Sequence, residues 1–427
     1  MNSSPSPYRW GLLGLLAIMA VIAYIQRAAI SVPATEIARD LEFDRPDRQM
    51  GWVLSAWYFA YALGQIPSGW MVDRWGVRWP LAVAVVVWSL ATMLAGLAGG
   101  LASLLVLWAI MGWGQAAAFP CAAKAISQSF PDQERARASG LLASGMMIGG
   151  AIAPVLAAGL LVRFAPVAES WQVERWRLLL ATYALPGLLW AALFLAVAPA
   201  SVATPVISTA RRPPLDWSRL LTSGSLALLC GQQFFRAAAM VFFLTWFPTF
   251  LQKARHVSAL DSGWLTTVAG IGGVVGSLIG GTVSDWLLVR TGNARLSRQG
   301  IAVIGMAACG ALILLSLAVT DIHVSIALIA VGVFCAAFGG VSGYTVAIQF
   351  GGKQTGVVFS AMNMCGNFGA ALFPLIAGEL VERTGNWNLV LMVFAGIMFV
   401  DAVCWALLNP RGTLFDDADE TDHDDTP

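Results

Sequence analysis

Long apolar segments recur along the whole of this sequence and restrict the folds that are open to it. Each has about 20 or more mainly apolar residues, enough to cross about 30 Å of hydrocarbon as a helix. In lipid every backbone polar group needs an internal partner, and a helix supplies one throughout. The sequence predicts twelve spans, at 10–31, 50–72, 79–99, 102–129, 138–161, 178–199, 224–251, 262–289, 299–319, 323–347, 355–381 and 387–408.

The composition agrees with an all-α polytopic membrane protein and argues against several other classes. Hydrophobic residues make up 58% of the chain and charged residues 11%, and the formal net charge of +1 gives no reason to expect nucleic acid as a partner. All six cysteines lie in apolar segments without a C-x-x-C pair, so we expect no disulfide, metal site or cofactor. No predicted span combines a nucleophile, a base and oxyanion donors, so an enzyme is not expected.

The polar segments divide the chain into two halves. The longest one, at 200–222, is rich in Pro, Ser and Arg and predicts a cytoplasmic linker between six-helix bundles at 1–199 and 223–410. The acidic residues 411–427 are expected to form a disordered cytoplasmic tail. Basic residues are more frequent in the loops that face inward when both termini are cytoplasmic, which favours that orientation.

The two halves also resemble each other in sequence. G-x-x-x-D occurs at 69–73 after the second predicted helix and again at 281–285 after the eighth, and 145–163 aligns with 365–383 without a gap. Such a duplication is typical of two-bundle transporters, whose binding site lies near the bilayer midplane between the repeats.

Three basic residues, Arg27, Lys124 and Arg236, lie inside predicted spans. A charge at the bilayer centre costs about 2.5–3.5 kcal/mol on insertion scales, so it usually marks a substrate or ion path, and a cation favours an anion. Arg27 and Lys124 have the alternative of reaching the interface through their long side chains. Arg236 is too deep for that, and it either pairs with Asp401 of the last helix or lines the cavity.

The segment GWMVDRWGVR at 69–78 resembles the G-x-x-x-D-R-x-G-R signature of the major facilitator superfamily. Other stretches resemble its anion:cation symporter branch, which includes hexuronate, galactonate, glucarate and phthalate permeases and the sialic-acid and vesicular glutamate carriers. They lie at 24–32, 51–70, 119–131, 242–250 and 363–369. The resemblance implies a monomeric secondary transporter of a small organic anion, such as a sugar acid, working by rocker-switch alternating access in a bacterial cytoplasmic (inner) membrane.

The same resemblance implies roles for particular residues. Arg27 would be the substrate arginine, where a planar guanidinium can bind a carboxylate bidentately, and Lys124 the second cation. Asp73, Arg74 and Arg78 would form a gating latch, with Asp285 in the weaker second copy. The residues expected to line the cavity are Tyr24, Tyr61, Gln65, Ser342, Tyr344, Asn363 and Asn367, with Trp57 and Trp246 as candidate walls.

The sequence departs from the family at positions that matter for proton coupling. Proton-coupled relatives usually carry Asp immediately before the substrate arginine, where this chain has Gln26. Two charges of a pattern on helix 4 are replaced by Trp108 and Gln115, while an acid at the inner end of that helix is retained as Asp132. Gln does not titrate, so coupling to protons is left open, with Asp132 or another acid as the candidate.

Two other functions fit parts of the pattern. The apolar content and the 18 Trp residues favour an exporter of drugs or amphiphiles, although a cation exporter would need a buried carboxylate, for which Asp401 is the central candidate. The charges lost at Gln26, Trp108 and Gln115 would also fit a non-transporting membrane sensor on a carrier fold.

Overall fold

The computed structural model describes residues 8–198, 222–351 and 355–409, and this part of the chain is helical and contains no strand. The predicted tail and almost all of the predicted linker lie outside these residues. The first half forms α1 (Arg9–Arg27), α2 (Ala34–Asp40), α3 (Pro46–Trp75), α4 (Arg78–Ala95), α5 (Leu101–Gln115), α6 (Ala118–Ser129), α7 (Asp132–Trp171) and α8 (Arg175–Val197). The second half forms α9 (Gly224–Thr245), α10 (Phe247–Ala254), α11 (Ala259–Thr291), α12 (Ile301–Leu317), α13 (Ile322–Gly340), α14 (Ser342–Gly351), α15 (Thr355–Thr384) and α16 (Trp387–Leu407).

All twelve predicted spans are helical in the structure. Eleven segments of the described chain are long and apolar enough to cross a membrane. The remaining predicted span belongs to α3, which has 30 residues but is less apolar. The predicted all-α polytopic fold class is therefore confirmed.

Some of the predicted boundaries differ from the observed ones. The span predicted at 138–161 is part of α7, which has 40 residues and continues beyond both predicted ends. The span predicted at 224–251 is divided at Trp246 into α9 and α10, where Pro248 lies in the first turn of α10. Proline lacks an N–H and is tolerated in the first turn of a helix, so the new helix begins there.

The chain forms two compact units. Unit 1 comprises Met1–Ala210, Met240–Val274 and Ala370–Val390, and unit 2 comprises Arg211–Ala239, Val275–Gly369 and Leu391–Pro427. Unit 1 therefore includes segments from the second half of the sequence. The predicted division into bundles at 1–199 and 223–410 stays a prediction, because most of the residues between them are not described.

Within unit 1, small residues bring α7 close to α1. A Cβ atom at Gly145 would lie 2.6 Å from the carbonyl oxygen of Ala17, and one at Gly149 would lie 2.6 Å from that of Val21. The same position at Gly149 is 3.0 Å from the Cβ of Tyr24. Such small-residue contacts allow helices to pack at backbone distance in a membrane, and here they fix the part of α1 that carries Tyr24.

The start of α3 packs against α15 in a contact that we call the α3 seam. Lys253 Nζ lies 2.6 Å from Asp47 Oδ1, and Arg48 Nε lies 2.9 Å from Glu379 Oε2. The carboxylate of Glu382 accepts hydrogen bonds from the backbone N–H groups of Asp47 and Arg48 in the first turn of α3, where the helix dipole favours an anion. The seam consists of these five residues and joins the start of α3 to α10 and α15 within unit 1.

We expect the α3 seam to open more often in the Lys253→Met variant than in the parent protein. Because both partners of the Lys253–Asp47 pair are partly exposed, the pair contributes about 1 kcal/mol or less, so opening should increase by about fivefold at most. Ala38 lines the same cleft as Asp47 and Lys253, and labelling of Ala38→Cys by a water-soluble maleimide measures the opening.

The matched control for this prediction is Arg383→Gln. Arg383 binds Glu379 from an exposed position on α15 and is not a seam residue, so its removal should leave the labelling unchanged. Equal labelling rates in the Lys253→Met protein and the parent would contradict the assigned role of the seam.

Candidate functional site

Arg27 lies at the end of α1, surrounded by aromatic rings. Its guanidinium carbon is 3.9 Å from the ring centre of Trp57, 4.2 Å from that of Tyr24 and 5.3 Å from that of Tyr61. We call these four residues the aromatic box. The helix C-terminus and the ring faces both stabilise a cation without adding a negative charge.

No carboxylate in the described part of the chain neutralises the charge of Arg27. Among the described residues it makes no ion pair with a carboxylate, and its Nε atom is buried without a hydrogen-bond partner. A partly buried cation without a counter-charge is costly, and an anionic ligand would offset that cost. The surroundings of Arg27 are therefore compatible with its predicted role as a contact for an anion.

Two of the three rings of the box come from one face of α3, and the third, Tyr24, comes from α1. Trp57 and Tyr61 are one turn apart and stack with ring centres 4.7 Å apart and an interplanar angle of 18°. Gln65 lies one turn further, and its side chain interacts with the hydroxyl of Tyr61. The predicted residues Tyr24, Tyr61 and Gln65 are thus brought together beside Arg27, with Trp57 as the nearest ring.

The two glutamines that replace family charges have structural partners. Gln26 is fully buried, and its Nε2 donates to the carbonyl oxygen of Tyr183 on α8 at 2.6 Å. Gln115 Nε2 on α5 donates to the carbonyl oxygen of Ala23 on α1 at 3.0 Å. Both side chains tie α1 to neighbouring helices, a function that the sequence pattern did not reveal.

Lys124 lies half-buried on α6, and α6 packs against α1, the helix that carries Arg27. Its contribution to a ligand site stays a prediction.

Unit 2 contains the candidate cavity residues of the second half of the chain, together with Arg236. Arg236 Nη2 donates to Gln233 Oε1 at 2.6 Å, and its guanidinium carbon lies 5.8 Å from the ring centre of Tyr344. Asn367 Nδ2 donates to the carbonyl oxygen of Asn363 at 2.9 Å, one turn earlier on α15. Tyr344 is 40% exposed, whereas Ser342 is buried. A role of Ser342, Tyr344, Asn363 and Asn367 in lining a cavity stays a prediction.

The predicted pairing of Arg236 with Asp401 is not observed. Both carboxyl oxygens of Asp401 are buried and lack a hydrogen-bond partner among the described residues. Arg236 instead contacts Gln233, one turn earlier on α9. The two groups therefore form no ion pair in this structure.

The residues predicted for gating have separate partners. Asp285 binds Arg298 at 2.6 Å, and Arg298 also donates to Ser284 Oγ at 2.7 Å. Arg78 donates to the carbonyl oxygen of Leu195 at 2.6 Å, while exposed Arg74 lies over the ring of Trp70. The side chains of Asp73 and Asp132 are outside the described residues. The gating and coupling roles of these residues therefore stay predictions.

Within the described residues no group of three or more His, Cys, Asp or Glu side chains could hold a metal ion.

The apolar spans of the described chain and the half-buried cation of Arg27 are typical of a polytopic membrane transporter. The sequence model of the Major Facilitator Superfamily matches residues 16–297, about two thirds of the chain, and the chain belongs to that family. This membership confirms the resemblance noted in the sequence and the expectation that the protein is a membrane transporter and not an enzyme.

Several relatives match the chain over nearly its whole length. It is 29% identical to a "Probable sulfoacetate transporter SauU" of Cupriavidus necator, covering 96% of this chain and 95% of the relative. It is 30% identical to a "D-galactonate transporter" of Escherichia coli, covering 95% of this chain and 96% of that relative. It is 28% identical to a "Probable galactarate/D-glucarate transporter GudP" of Bacillus subtilis, covering 94% of this chain and 91% of that relative.

The fold is also similar to a solved structure. The crystal structure of a bacterial homolog of the human lysosomal transporter Spinster, in an inward-facing and unoccupied conformation, has a TM-score of 0.77. The similarity covers 95% of this chain and 98% of that protein at 17% sequence identity. At this identity the likeness supports the fold alone.

Proposed function

We propose that this protein is a secondary transporter of a small organic anion, a carboxylate such as a sugar acid, and that it works by rocker-switch alternating access. The proposal includes a location in a bacterial cytoplasmic membrane with both termini in the cytoplasm. Arg27 binds the carboxylate of the substrate, and Lys124 provides a second positive charge.

The observation that carries this proposal is the unpaired guanidinium of Arg27 in the aromatic box. A guanidinium presents parallel N–H donors that fit the two oxygens of a carboxylate, and bonds of this kind are among the strongest in proteins. The rings hold the cation and exclude water, which strengthens its attraction for an anion. A transported cation would meet repulsion at the same place.

The substrates named for the relatives support the same class of ligand. Sulfoacetate, galactonate, galactarate and glucarate are small anions, and all but sulfoacetate combine carboxylates with several hydroxyl groups. Tyr61 and Gln65, adjacent to Arg27, can donate and accept hydrogen bonds with such hydroxyls.

A ligand panel on the purified protein tests the proposal. We expect at least one of galactonate, glucarate or sulfoacetate to raise the unfolding temperature, since a ligand at 100 times its Kd stabilises the folded state by about 2.7 kcal/mol. The uncharged polyol galactitol should have no effect, and the active anion should show counterflow in proteoliposomes.

The same panel includes a lipophilic cation for comparison. Stabilisation and transport of that cation, with none of the anions active, would overturn the proposal in favour of amphiphile export. No stabilisation and no counterflow by any of the anions would contradict an organic-anion carrier.

A further inference from the structure

Asp401 is a buried acid that the proposed anion site does not use. It lies on α16, about two turns before the end of the helix, and its side chain is 0% exposed. Neither carboxyl oxygen has a hydrogen-bond partner among the described residues. An ionised carboxylate in such surroundings costs several kcal/mol, whereas the neutral acid avoids most of that cost. Burial therefore favours the protonated form in this conformation.

In the part of the chain that the structure describes, the helices around Asp401 provide one group that could balance its negative charge. α9 packs against α16, where a Cβ atom at Gly231 would lie 3.6 Å from the Sγ of Cys404, and α9 also carries Arg236. The other titratable groups that interact with Asp401 are the thiols of Cys309 on α12 and Cys404 on α16, which carry no positive charge. Only Arg236 among these groups can therefore stabilise the ionised form.

Arg236 is held away from Asp401 in this structure. Its guanidinium binds Gln233 and lies over Tyr344, while its Nε atom is buried without a partner. The side chain passes over Gly340, where a Cβ atom would lie only 3.1 Å from Arg236 Cδ. Glycine at this position leaves room for the long side chain, and a change of rotamer is the simplest way for the guanidinium to reach another partner.

We propose that Asp401 is a proton-binding site of the transport cycle and that Arg236 competes with the proton for its carboxyl group. This inference rests on the proposed function. When Asp401 holds a proton, Arg236 is free to attract the substrate anion to unit 2. When the proton leaves to water, the carboxylate draws Arg236 into an ion pair, and the anion loses that positive charge.

Because of this competition, binding of the proton and binding of the anion favour each other. Proton and anion bind together and leave together, as symport requires, because losing either one favours loss of the other. It also supplies a titratable acid to a chain that has Gln26 and Gln115 at family positions where charges would stand. The acid is in unit 2, on the last helix.

Asp401→Asn tests the proposal, because asparagine is a neutral substitute of the same size as the protonated acid. We expect the infrared carbonyl band of a protonated carboxyl group to appear at neutral pH in the difference spectrum of the parent minus Asp401→Asn. Asp44→Asn, at an exposed acid, should leave this band in place. This readout needs no substrate, so it is independent of the proposed function.

Transport supplies the second readout. For one proton carried per anion, a gradient of one pH unit supports about tenfold accumulation in the parent and in Asp44→Asn. Asp401→Asn should retain counterflow but lose this accumulation. Arg236→Gln should keep the infrared band and also lose the accumulation.

The possible outcomes separate this inference from the proposed function. Absence of the difference band overturns the proton site, as does full accumulation driven by the pH gradient in Asp401→Asn. A difference band without transport of any anion would uphold proton binding by Asp401 and overturn its coupling role together with the proposed function. If Asp401→Asn also lost counterflow, Asp401 would be needed for movement of the anion itself. That result would overturn its assignment to proton coupling alone.

Discussion

Replacing Arg27 with alanine is expected to lower uptake of the organic anion by about 100-fold or more. A charge-assisted bidentate contact in a desolvated site is worth about 3 kcal/mol, and each 1.4 kcal/mol corresponds to a factor of ten. Arg27→Lys should recover only part of the activity, since an ammonium group keeps the charge but lacks the planar fork. The loss should appear in both anion affinity and initial uptake rate.

Two measurements separate this role from a structural one. The unliganded Arg27→Ala protein should unfold near the temperature of the parent, because Arg27 forms no ion pair among the described residues and its removal leaves no described carboxylate unpaired. Its stabilisation by the anion should disappear.

Arg290→Ala is the matched control, because Arg290 also lies over a tryptophan ring, 5.3 Å from the centre of Trp286, but is exposed. Wild-type uptake by Arg27→Ala would exclude Arg27 as the anion contact.

The helices were predictable from the sequence because lipid imposes a simple rule on composition. Apolar runs located all twelve spans, but hydropathy reports contact with lipid and not the length of a helix. α7 therefore begins six residues before its predicted span, within the charged segment at 132–137. The break at Trp246 was also missed, because the apolar run continues through it.

The anion site was only partly predictable. Arg27 was identifiable because a charge within an apolar span requires a partner or a ligand, and Trp57 was noted as a possible wall. The tethers made by Gln26 and Gln115 were not predictable, because their acceptors are backbone carbonyls that any residue provides. The sequence also could not decide whether Arg236 reaches Asp401, because that depends on the rotamer of a long side chain.

Gly112→Ala tests whether the helix packing behind the aromatic box controls anion binding. A Cβ atom at Gly112 would lie 2.3 Å from the carbonyl oxygen of Trp57 and 2.9 Å from its Cα. These are backbone atoms that no rotamer change can move, so α3 must shift away from α5. Overpacking of this kind costs about 1–3 kcal/mol. The unfolding temperature should therefore fall.

The effect on binding should exceed the effect of lower stability alone. Because Trp57 and Tyr61 both lie on the part of α3 that must shift, two walls around Arg27 move together, and a site displaced by more than about 0.5 Å loses its productive geometry. We expect anion affinity to fall by about tenfold or more in the protein that remains folded, measured by titration below the unfolding temperature.

Gly159→Ala provides the control, because nothing lies within 4 Å of a Cβ atom at that position of α7. Alanine is the better helix former by about 0.5–1 kcal/mol, so this variant should be as stable as the parent or more so and should bind the anion normally. If Gly112→Ala matched Gly159→Ala in both unfolding temperature and affinity, the contact between α3 and α5 would have no part in positioning the aromatic box. A lowered unfolding temperature with unchanged affinity would mean that this contact contributes only to stability. Arg27 would then be positioned by α1 alone.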